Sequence, residues 1–479
     1  MLIAKIMNKF YLTTPIFYIN DVPHIGHAYV TVAADILARY YKEKLGEENV
    51  FFLTGTDEHG AKIAEAAKDA GKNPKEFADD IVPKFEEAWK LLNIDYSHFF
   101  RTTDPRHEKK VSEILQKIYN KGLIYEGVYE GLYCVGCEKF LAESDLVEEK
   151  CPLHPNLTPV HQKEKNYFFK LSEFKKDLIG WFEKGTVEIL PKSKKSEILG
   201  KLRDELKDIA ISREGVSWGI PIPWDGKQTI YVWVEALFNY YTATQFLENK
   251  KDFWPADVHL IGKDILWFHT VIWAALLKAA DLELPKSVFA TGFFTINGAK
   301  MSKSAGNSIS PKELVDKFGV DATRFLLVSR FPFGQDGDFS FEKLTEAYNA
   351  ELANGLGNLV SRVAKLCESA DFTQNSDSDS HVENKEEYDS AINDFRLEDA
   401  ASIVWGRIGE LDRFVDSEKP WELVKRRDPK IKSVLAHLVD GILEISGILR
   451  PFMPETTERI EKQFSEAKIK SAPPLFPRI

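Results

Sequence analysis

The sequence predicts an α/β fold: a doubly wound parallel sheet, split by an insertion and followed by a bundle of helices. Two observations carry this prediction. Apolar runs alternate with helix-like segments over residues 1–122 and again over 228–309, as strands and helices do around a parallel sheet. Beyond about residue 340 the strand pattern stops, and apolar residues recur only at helical spacing.

Each half of the sheet contains its own strands and helices. Short apolar runs rich in β-branched and aromatic residues predict strands, and longer periodic segments predict helices. In the first half we expect strands at 10–19 and 50–54 and helices at 28–45, 61–72 and 75–92. In the second half we expect strands at 230–234, 259–262 and 288–291 and helices at 235–248 and 266–280. This order is typical of a nucleotide-binding sheet of the Rossmann type.

The remaining segments complete the predicted domain organisation. Residues 123–227 break the α/β rhythm with short aromatic strands and a cysteine cluster, which indicates a connective insertion. We expect bundle helices at 341–369, 387–416, 430–449 and 455–465, and a tail at 471–479 that packs back on the body. The predicted domains are the two halves of the sheet, the insertion, a junction and the helical domain, at 1–122 and 228–309, 123–227, 310–345 and 346–479.

Composition and charge limit the possible functions. The 479 residues carry a net charge of −11, which excludes a uniformly basic nucleic-acid-binding protein but allows local basic tracks at 192–203 and 425–432. No apolar stretch has the roughly 18 residues that a membrane span requires, so no membrane partner is expected. Three of the four cysteines are clustered, which argues against a disulfide framework and for a reducing cytoplasm.

The first chemical motif is Pro23-His24-Ile25-Gly26-His27, directly after the first predicted strand. A turn from a strand into a helix N-terminus presents free backbone N–H groups and the positive end of the helix dipole, which together bind anions. Histidines at that point can donate hydrogen bonds to phosphate oxygens. The motif indicates nucleotide chemistry, with capping or core histidines as the alternative for this motif alone.

The second motif is Lys300-Met301-Ser302-Lys303-Ser304, which lies between two glycines that can act as hinges. Lysines can neutralise a departing pyrophosphate as compact charges. A solvated basic loop is the alternative for this segment in isolation. The two motifs in this order in one chain indicate an enzyme that forms an aminoacyl-adenylate.

With both motifs, the chain resembles the class I aminoacyl-tRNA synthetases, and it is similar to the methionyl-tRNA synthetases over essentially its whole length. The resemblance implies a ligase that activates methionine with ATP, releases pyrophosphate and transfers the methionyl group to the 3′ end of tRNA(Met), with Mg²⁺ accompanying ATP. Catalysis would rest on positioning and electrostatics, without a covalent enzyme intermediate. The catalytic residues implied are His24, His27, Lys300 and Lys303, and ATP binding would also involve Gly26, Gly262, Asp264 and Met301.

The methionine pocket must select by shape and by contact between sulfur and aromatic rings, because a thioether offers almost no hydrogen bond. The candidate residues lie at helical spacing, which alone would predict an ordinary core stripe. The resemblance instead implies that Asp57 holds the substrate ammonium and that the side chain is enclosed by Ile16, Tyr18, Trp233, Ala236, Leu237, Tyr240, Ile265, His269 and Trp273. Leu237 replaces a proline found in some members. Homocysteine is the expected error, since one methylene gives only about 1–3 kcal/mol of discrimination.

The cysteine cluster has the spacing of a zinc knuckle. Cys134 and Cys137 form a C-x₂-C pair, and Cys151 and His154 form a C-x₂-H pair shortly after it. Two such pairs can close a tetrahedral Cys₃His site. Because all four ligands would come from the protein, one structural Zn²⁺ is predicted within residues 134–154. A metal-free loop with reduced thiols is the alternative.

The helical domain is the expected RNA-binding end. Asn358 and Arg362 are four residues apart and share one helix face, and Trp421 follows a lysine and a proline. Unstacked RNA bases are bound by aromatic stacking and by hydrogen bonds to their edges. The resemblance implies that these three residues bind the anticodon of tRNA(Met), including the initiator form, and that a junction containing Asp321, Arg324 and Asp338 links this end to catalysis. A monomer is expected.

Three alternatives remain open on the sequence. A cysteinyl-tRNA synthetase shares both motifs, but its zinc would lie in the amino-acid pocket, where this chain offers Trp233, His269 and Trp273. A non-catalytic RNA-binding relative is disfavoured by the intact histidines and lysines. A nucleotidyltransferase of cofactor synthesis would be a smaller protein without a helical bundle.

Overall fold

The computed structural model describes residues 8–135, 139–141, 146–152, 155–296, 298–300, 308–374 and 385–479. The chain begins with β1 (Phe10–Tyr18), α1 (Ile25–Leu45), β2 (Val50–Asp57), α2 (Ala61–Asp69), α3 (Pro74–Leu91), β3 (His98–Arg101) and α4 (Pro105–Asn120). It continues through β4 (Ile124–Cys134), β5 (Lys139–Leu141), β6 (Val160–Phe169), α5 (Lys175–Lys184), β7 (Glu188–Leu190), α6 (Lys192–Arg203), β8 (Ile209–Ala210), β9 (Ser212–Glu214), β10 (Pro221–Ile222) and β11 (Asp225–Ile230).

The second α/β segment contains α7 (Val232–Leu237), α8 (Asn239–Phe246), β12 (Val258–Gly262), α9 (Trp273–Ala279), β13 (Ser287–Thr291), β14 (Phe294–Ile296) and β15 (Ala299–Lys300). The rest is mainly helical, with α10 (Pro311–Phe318), α11 (Val320–Ser329), β16 (Gly337–Phe339), α12 (Phe341–Ala347), α13 (Asn358–Ser369), α14 (Lys385–Asn393), α15 (Leu397–Glu418), α16 (Pro420–Arg426), α17 (Ile431–Leu449) and α18 (Pro454–Phe464). Two segments, Phe268–Ile272 and Tyr348–Gly357, are π-helical.

The predicted parallel sheet is confirmed. Six strands, all parallel, lie in the order β3-β2-β1-β12-β13-β7. From β1 the chain adds β2 and β3 on one side, and from β12 it adds β13 on the other, where the earlier strand β7 forms the edge. The strand order therefore reverses between β1 and β12. Ligands of such sheets bind outside the carboxyl ends of the strands at this switch point. The topology therefore places a binding crevice beside Tyr18 and Gly262, the last residues of β1 and β12.

The sheet is covered on both faces, as expected for parallel strands with continuous apolar sequences. Successive residues of β1 enter different cores. Phe10 and Leu12 pack in the core that contains α1 and α3, whereas Tyr11 packs in the core that contains α4 and α9. The first of these cores continues into the helical domain, so the sheet and the bundle share one apolar interior.

Two predicted elements differ from the structure. The strand predicted at 230–234 is wrong, because β11 ends at Ile230 and the N–H groups of Val234 and Glu235 both donate to the Tyr231 carbonyl, which starts a helix. The helix predicted at 387–416 is interrupted before Leu397, because Phe395 adopts a left-handed backbone conformation with a φ of 59°. The apolar run IYVWV at 230–234 fits a buried strand as well as a buried helix, so the sequence alone could not separate the two.

The helical domain follows the predicted pattern in its main features. Helix α12, the π-helical segment Tyr348–Gly357 and α13 form one continuous run, as expected for 341–369. The tail packs back on this run, as predicted: Phe476 is buried and the Tyr348 hydroxyl donates to the Pro477 carbonyl at 3.0 Å. Within the described ranges, no helix is long and apolar enough to cross a membrane.

A buried arginine joins the sheet to the bundle. Arg324, on α11, forms a 2.7 Å ion pair with Asp35 of α1, and both side chains are fully buried. Its remaining N–H groups donate to carbonyls at the end of α3 and between α17 and α18, including Leu92, Pro451 and Phe452 at 2.9–3.1 Å. Three parts of the chain that are distant in sequence therefore meet on one guanidinium.

Candidate active site

A cavity of about 390 Å³ opens at the switch point of the sheet. It lies at the carboxyl ends of β1, β2, β12 and β13, where the topology predicts a ligand. Ten residues predicted from the sequence line it together: Ile16, Tyr18, His24, Gly26, His27, Asp57, Trp233, Gly262, Asp264 and Ile265.

The two histidines of the first motif are fixed by the start of α1. His24 is the N-cap, and its Nδ1 accepts a hydrogen bond from the Gly26 N–H at 3.1 Å. His27 Nδ1 accepts in turn from the His24 N–H at 3.3 Å, and the two rings are stacked with centroids 3.8 Å apart. Because each Nδ1 acts as an acceptor, a neutral ring carries its proton on Nε2. The capping geometry therefore leaves the Nε2–H of both rings as donors at the cavity.

Burial keeps these rings neutral. Desolvation lowers the pKa of His24 from 6.5 to about 4. Desolvation, together with the nearby His24, lowers the pKa of His27 well below its ordinary value. At neutral pH both side chains are therefore uncharged hydrogen-bond donors rather than cations.

The residues on either side of the lysine-rich segment have defined contacts. Met301 and Lys303 lie outside the described residues, as does the side chain of Lys300. Just before the segment, the Gly298 N–H donates to Asp338 at 2.6 Å. Just after it, the Ile309 carbonyl accepts from the N–H of Ile25, between the two histidines, at 3.0 Å. The structure thus brings Ile309, five residues beyond the second motif, next to the first motif.

A second, much smaller cavity of about 10 Å³ lies next to the first. The two share five wall residues: Pro15, Ile16, Asp57, Trp233 and Ile265. Four more residues line the smaller cavity alone, and each of them was predicted from the sequence: Ala236, Leu237, Tyr240 and His269. Asp57, only 4% exposed, is the carboxylate common to both cavities.

Tyr240 and His269, two polar side chains of the inner cavity, are uncharged at neutral pH. Tyr240 Oη lies 2.8 Å from His269 Nε2, and His269 Nδ1 lies 3.0 Å from the Ile265 carbonyl. A carbonyl only accepts, so Nδ1 carries the proton and Nε2 accepts from the tyrosine hydroxyl. Burial lowers the pKa of His269 to about 4, although the hydrogen bond to Ile265 raises it somewhat. A neutral, largely apolar wall suits an apolar side chain.

Trp273 does not line either cavity, contrary to the sequence prediction. It is fully buried and packs edge-on against Phe238 and Tyr240, with centroids 5.2 and 6.2 Å apart. The reason is the π-helical segment Phe268–Ile272, since a π turn contains one residue more than an α turn. Residues before and after it no longer share the face that α-helical spacing predicts, and Trp273 supports the wall from behind.

Several residues of the site were not predicted from the sequence. Phe268 lies behind the wall and stacks on Trp233 at 4.7 Å between ring centroids. Gly292 allows the backbone of Gln335 to approach, because a Cβ there would lie 1.9 Å from the Gln335 carbonyl oxygen. The end of β13 was itself a signal, since strand ends form ligand sites. The remaining missed residues of the outer cavity are Pro15, Phe17, Tyr29, Val30, Thr291, Phe293 and Phe294.

The first cysteine of each predicted zinc-binding pair is described. Cys134 and Cys151 are both buried and share a small apolar cluster with Leu141. Neither forms a disulfide bond. Cys137 and His154, the other predicted ligands, lie outside the described residues.

Two of the three predicted anticodon residues are in contact. The Arg362 guanidinium lies 5.2 Å from the centroid of the Trp421 ring, and it donates to Asp416 at 2.8 Å. Asn358, one turn before Arg362 on α13, is exposed. The structure therefore gathers these residues on one surface of the helical domain.

Comparison with known proteins identifies the class. A family model described as tRNA synthetases class I (M) matches residues 10–157 and 154–364. The chain therefore belongs to the class I tRNA synthetases.

Comparison with individual relatives identifies the family within this class. The methionine–tRNA ligase of Caldanaerobacter subterraneus is 42% identical to this chain, covering 95% of it and 73% of the relative. The structure of Mycobacterium tuberculosis methionyl-tRNA synthetase in complex with methionyl-adenylate matches with a TM-score of 0.91 at 31% identity, over 98% of this chain and 100% of that one. The free form of that enzyme matches with a TM-score of 0.84 at 29% identity, over 99% of each chain. Within its class, the chain belongs to the methionine–tRNA ligase family.

The capping geometry predicts the tautomer and the protonation state of His24. The unfolded chain protonates His24 near pH 6.5 and the folded protein only near 4. Protonation therefore favours the unfolded state, and this residue's effect destabilises the fold as pH falls from about 6.5 towards 4. In long-range ¹H–¹⁵N spectra of ¹⁵N-histidine-labelled protein, with His24→Asn for assignment, we expect a neutral Nε2–H tautomer from pH 8 to 5.5. An Nδ1–H tautomer, or a midpoint near 6.5, would contradict the geometry.

Proposed function

We propose that this protein activates L-methionine with ATP in the outer and inner cavities and transfers the methionyl group to the 3′ end of tRNA(Met). The observation that carries the proposal is the position of the first motif at the cavity. His24 and His27 line that cavity, and the hydrogen bond from Ile25 to Ile309 brings the chain that follows the second motif next to them. Family membership supports the same reaction.

The first step is the formation of methionyl-adenylate. A carboxylate oxygen of methionine attacks the α-phosphorus of ATP, the bond from that phosphorus to its bridging oxygen breaks, and pyrophosphate leaves with the electron pair. The Nε2–H groups of His24 and His27 are proposed to donate to phosphate oxygens as their charge increases, and Lys300 and Lys303 to neutralise the departing pyrophosphate. Fixed donors of this kind typically contribute about 3–4 kcal/mol each. Mg²⁺ accompanies ATP in this proposal.

The second step is transfer to RNA. A hydroxyl of the terminal ribose attacks the carbonyl carbon of the adenylate, and AMP leaves as the bond from that carbon to the phosphate oxygen breaks.

The adenosine and phosphates are proposed to contact Gly26, Gly262, Asp264 and Met301. The Asp264 carboxylate lies directly over Gly262, since a Cβ on that glycine would be 2.6 Å from Asp264 Oδ1. A side chain at residue 262 would therefore displace the Asp264 carboxylate from its proposed contact with adenosine.

Methionine is proposed to lie across the boundary between the cavities. Asp57 would hold the ammonium, because this buried carboxylate borders both spaces. The thioether would extend into the inner cavity towards Tyr240 and His269. At about 10 Å³ that cavity has no more than the room of one water molecule. The stacked pair of Trp233 and Phe268 must therefore shift when methionine enters.

We also propose one structural Zn²⁺ in the insertion. Cys134 and Cys151, one from each predicted pair, are already adjacent and buried, which suits a thiolate site. Cys137 and His154 would complete the four ligands. The ion would cross-link the knuckle and would take no part in the reaction.

The anticodon is proposed to bind to the surface that carries exposed Asn358 and half-buried Arg362 and Trp421. The proposal covers initiator as well as elongator tRNA(Met). The indole ring and the guanidinium beside it offer flat faces for unstacked bases, and Asn358 offers an amide for a base edge. A cytoplasmic location and a monomeric enzyme complete the proposal, in keeping with its thiol-based zinc site and its relatives in protein synthesis.

The reaction is tested by ATP–pyrophosphate exchange with each of the twenty amino acids. We expect exchange with methionine alone, because the inner cavity is walled mainly by apolar side chains and by the neutral pair of Tyr240 and His269. His27→Ala should lower kcat by about 100-fold or more, with little change in KM, as expected for a donor used mainly in the transition state. Exchange that depends on cysteine would support the cysteinyl alternative, and no exchange with any amino acid would support a non-catalytic relative.

The RNA-binding surface is tested separately. Trp421→Ala and Arg362→Ala should each lower kcat/KM for aminoacylation of tRNA(Met) by roughly 5- to 150-fold, which corresponds to the loss of about 1–3 kcal/mol of stacking per base. Methionine-dependent pyrophosphate exchange should stay within twofold of wild type. Arg459→Ala, an exposed change elsewhere on the helical domain, is the control. Equal effects of all three substitutions would show that this surface does not bind the anticodon.

A further inference from the structure

Behind the methionine pocket lies a buried carboxylate that the reaction does not use. We infer that Glu235, held by His59 and His107, is a positioning residue that fixes the distance between Asp57 and the α7 wall of the inner cavity. That distance sets how deeply an amino-acid side chain can be seated. The inference rests on the proposed function, because Asp57 and the α7 wall are its two proposed contacts with methionine.

Glu235 connects elements that are distant in the chain. It lies on α7 between two wall residues, Trp233 and Ala236, yet it lines neither cavity and is fully buried. Its Oε1 is 2.8 Å from His59 Nδ1, and its Oε2 is 3.0 Å from His107 Nε2. Both oxygens are thus engaged, one with the segment that follows β2 and one with α4. The carboxylate ties the pocket helix to two other parts of the sheet domain.

The charges of this cluster are balanced inside the protein. Burial alone would lower the pKa of His59, but the charge of Glu235 and the hydrogen bonds to Glu108 and Glu235 raise it to about 10. The pKa of Glu235 is lowered: burial raises it, but the charge of His59 and its two histidine hydrogen bonds outweigh burial. His59 is therefore a cation and Glu235 an anion at neutral pH. A buried ion pair with good geometry resists displacement, because separation would leave unpaired charges.

The segment that carries His59 is itself immobilised. The Gly60 N–H donates to the Trp218 carbonyl at 3.1 Å, and the Trp218 indole N–H donates to the Glu58 carbonyl at 2.6 Å. The Glu58 carboxylate is bound by Arg101 through two hydrogen bonds of 2.7 and 2.8 Å. His59 is therefore a fixed point, and it lies only two residues from Asp57.

These contacts explain what the cluster can do for selectivity. Asp57 belongs to the rigid end of β2, whereas Trp233 and Ala236 belong to a helix of only six residues. The ion pair between Glu235 and His59 attaches that short helix to the segment that also carries Asp57. Methionine and homocysteine differ by one methyl group, so a shift of α7 of a fraction of an ångström is enough to weaken the distinction between them.

Glu235→Gln tests the inference, because it keeps the size of the side chain and removes its charge. In pyrophosphate exchange we expect about a tenfold increase in KM for methionine and a similar fall in the preference for methionine over homocysteine. We expect KM for ATP to stay within twofold. The matched control is Glu108→Gln, which removes the other carboxylate near His59, 3.5 Å from its Nε2 and 40% exposed, without touching α7. It should leave all these values within twofold of wild type.

His107→Gln removes the histidine of α4 that contacts the same carboxylate. It provides the test if Glu235→Gln does not fold. It should change KM for methionine in the same direction and leave KM for ATP unchanged. The inference is overturned if both variants keep wild-type values for methionine and homocysteine. It is also overturned if KM for methionine and ATP rise together, which would show a general loss of structure. If the wild-type protein shows no exchange with methionine, the proposed function fails instead, so the two failures are distinguishable.

Discussion

The buried ion pair between Asp35 and Arg324 is the interaction on which the arrangement of the molecule depends. It joins the middle of α1, whose first turn carries His24 and His27, to the junction helix α11. The same guanidinium binds carbonyls of α3 and of the turn between α17 and α18. One side chain therefore links the helix that begins at the two histidines to the helical bundle. Removing one partner of such a pair typically costs about 3–5 kcal/mol, because it strands a buried charge.

The histidines in or beside the two cavities are neutral, whereas an ion pair lies behind the wall of the inner cavity. His24, His27 and His269 are uncharged in or beside the cavities, because burial depresses their pKa values. His59, behind the pocket, is charged because Glu235 accompanies it. In the proposed reaction, neutral donors with fixed directions can hydrogen-bond to phosphate oxygens as their charge increases, without attracting other anions. The paired charge in the interior holds the short helix α7 in place.

The sequence was informative where function depends on short stretches of chain. Both motifs, the parallel sheet and most of the bundle could be predicted, because strand and helix periods and strand–turn–helix motifs are local. The Glu235 cluster could not be found in this way, since His59 and His107 are 176 and 128 residues from it. Trp273 was misplaced because a π turn rotates the helix after His269. Such a turn leaves no clear trace in composition, and its effect on the wall is visible only in three dimensions.

The most direct test of this account is the free energy of unfolding of Arg324→Met in urea, measured with Arg459→Met as the exposed control. The account predicts a loss of about 3–5 kcal/mol for Arg324→Met and little for the control. It also predicts partial recovery in the double variant Asp35→Asn with Arg324→Met, because Arg39, the other cation paired with Asp35, is partly exposed and keeps its hydrogen bond to the Asn93 carbonyl. A loss below about 1 kcal/mol, equal to that of the control, would contradict the central role of this ion pair.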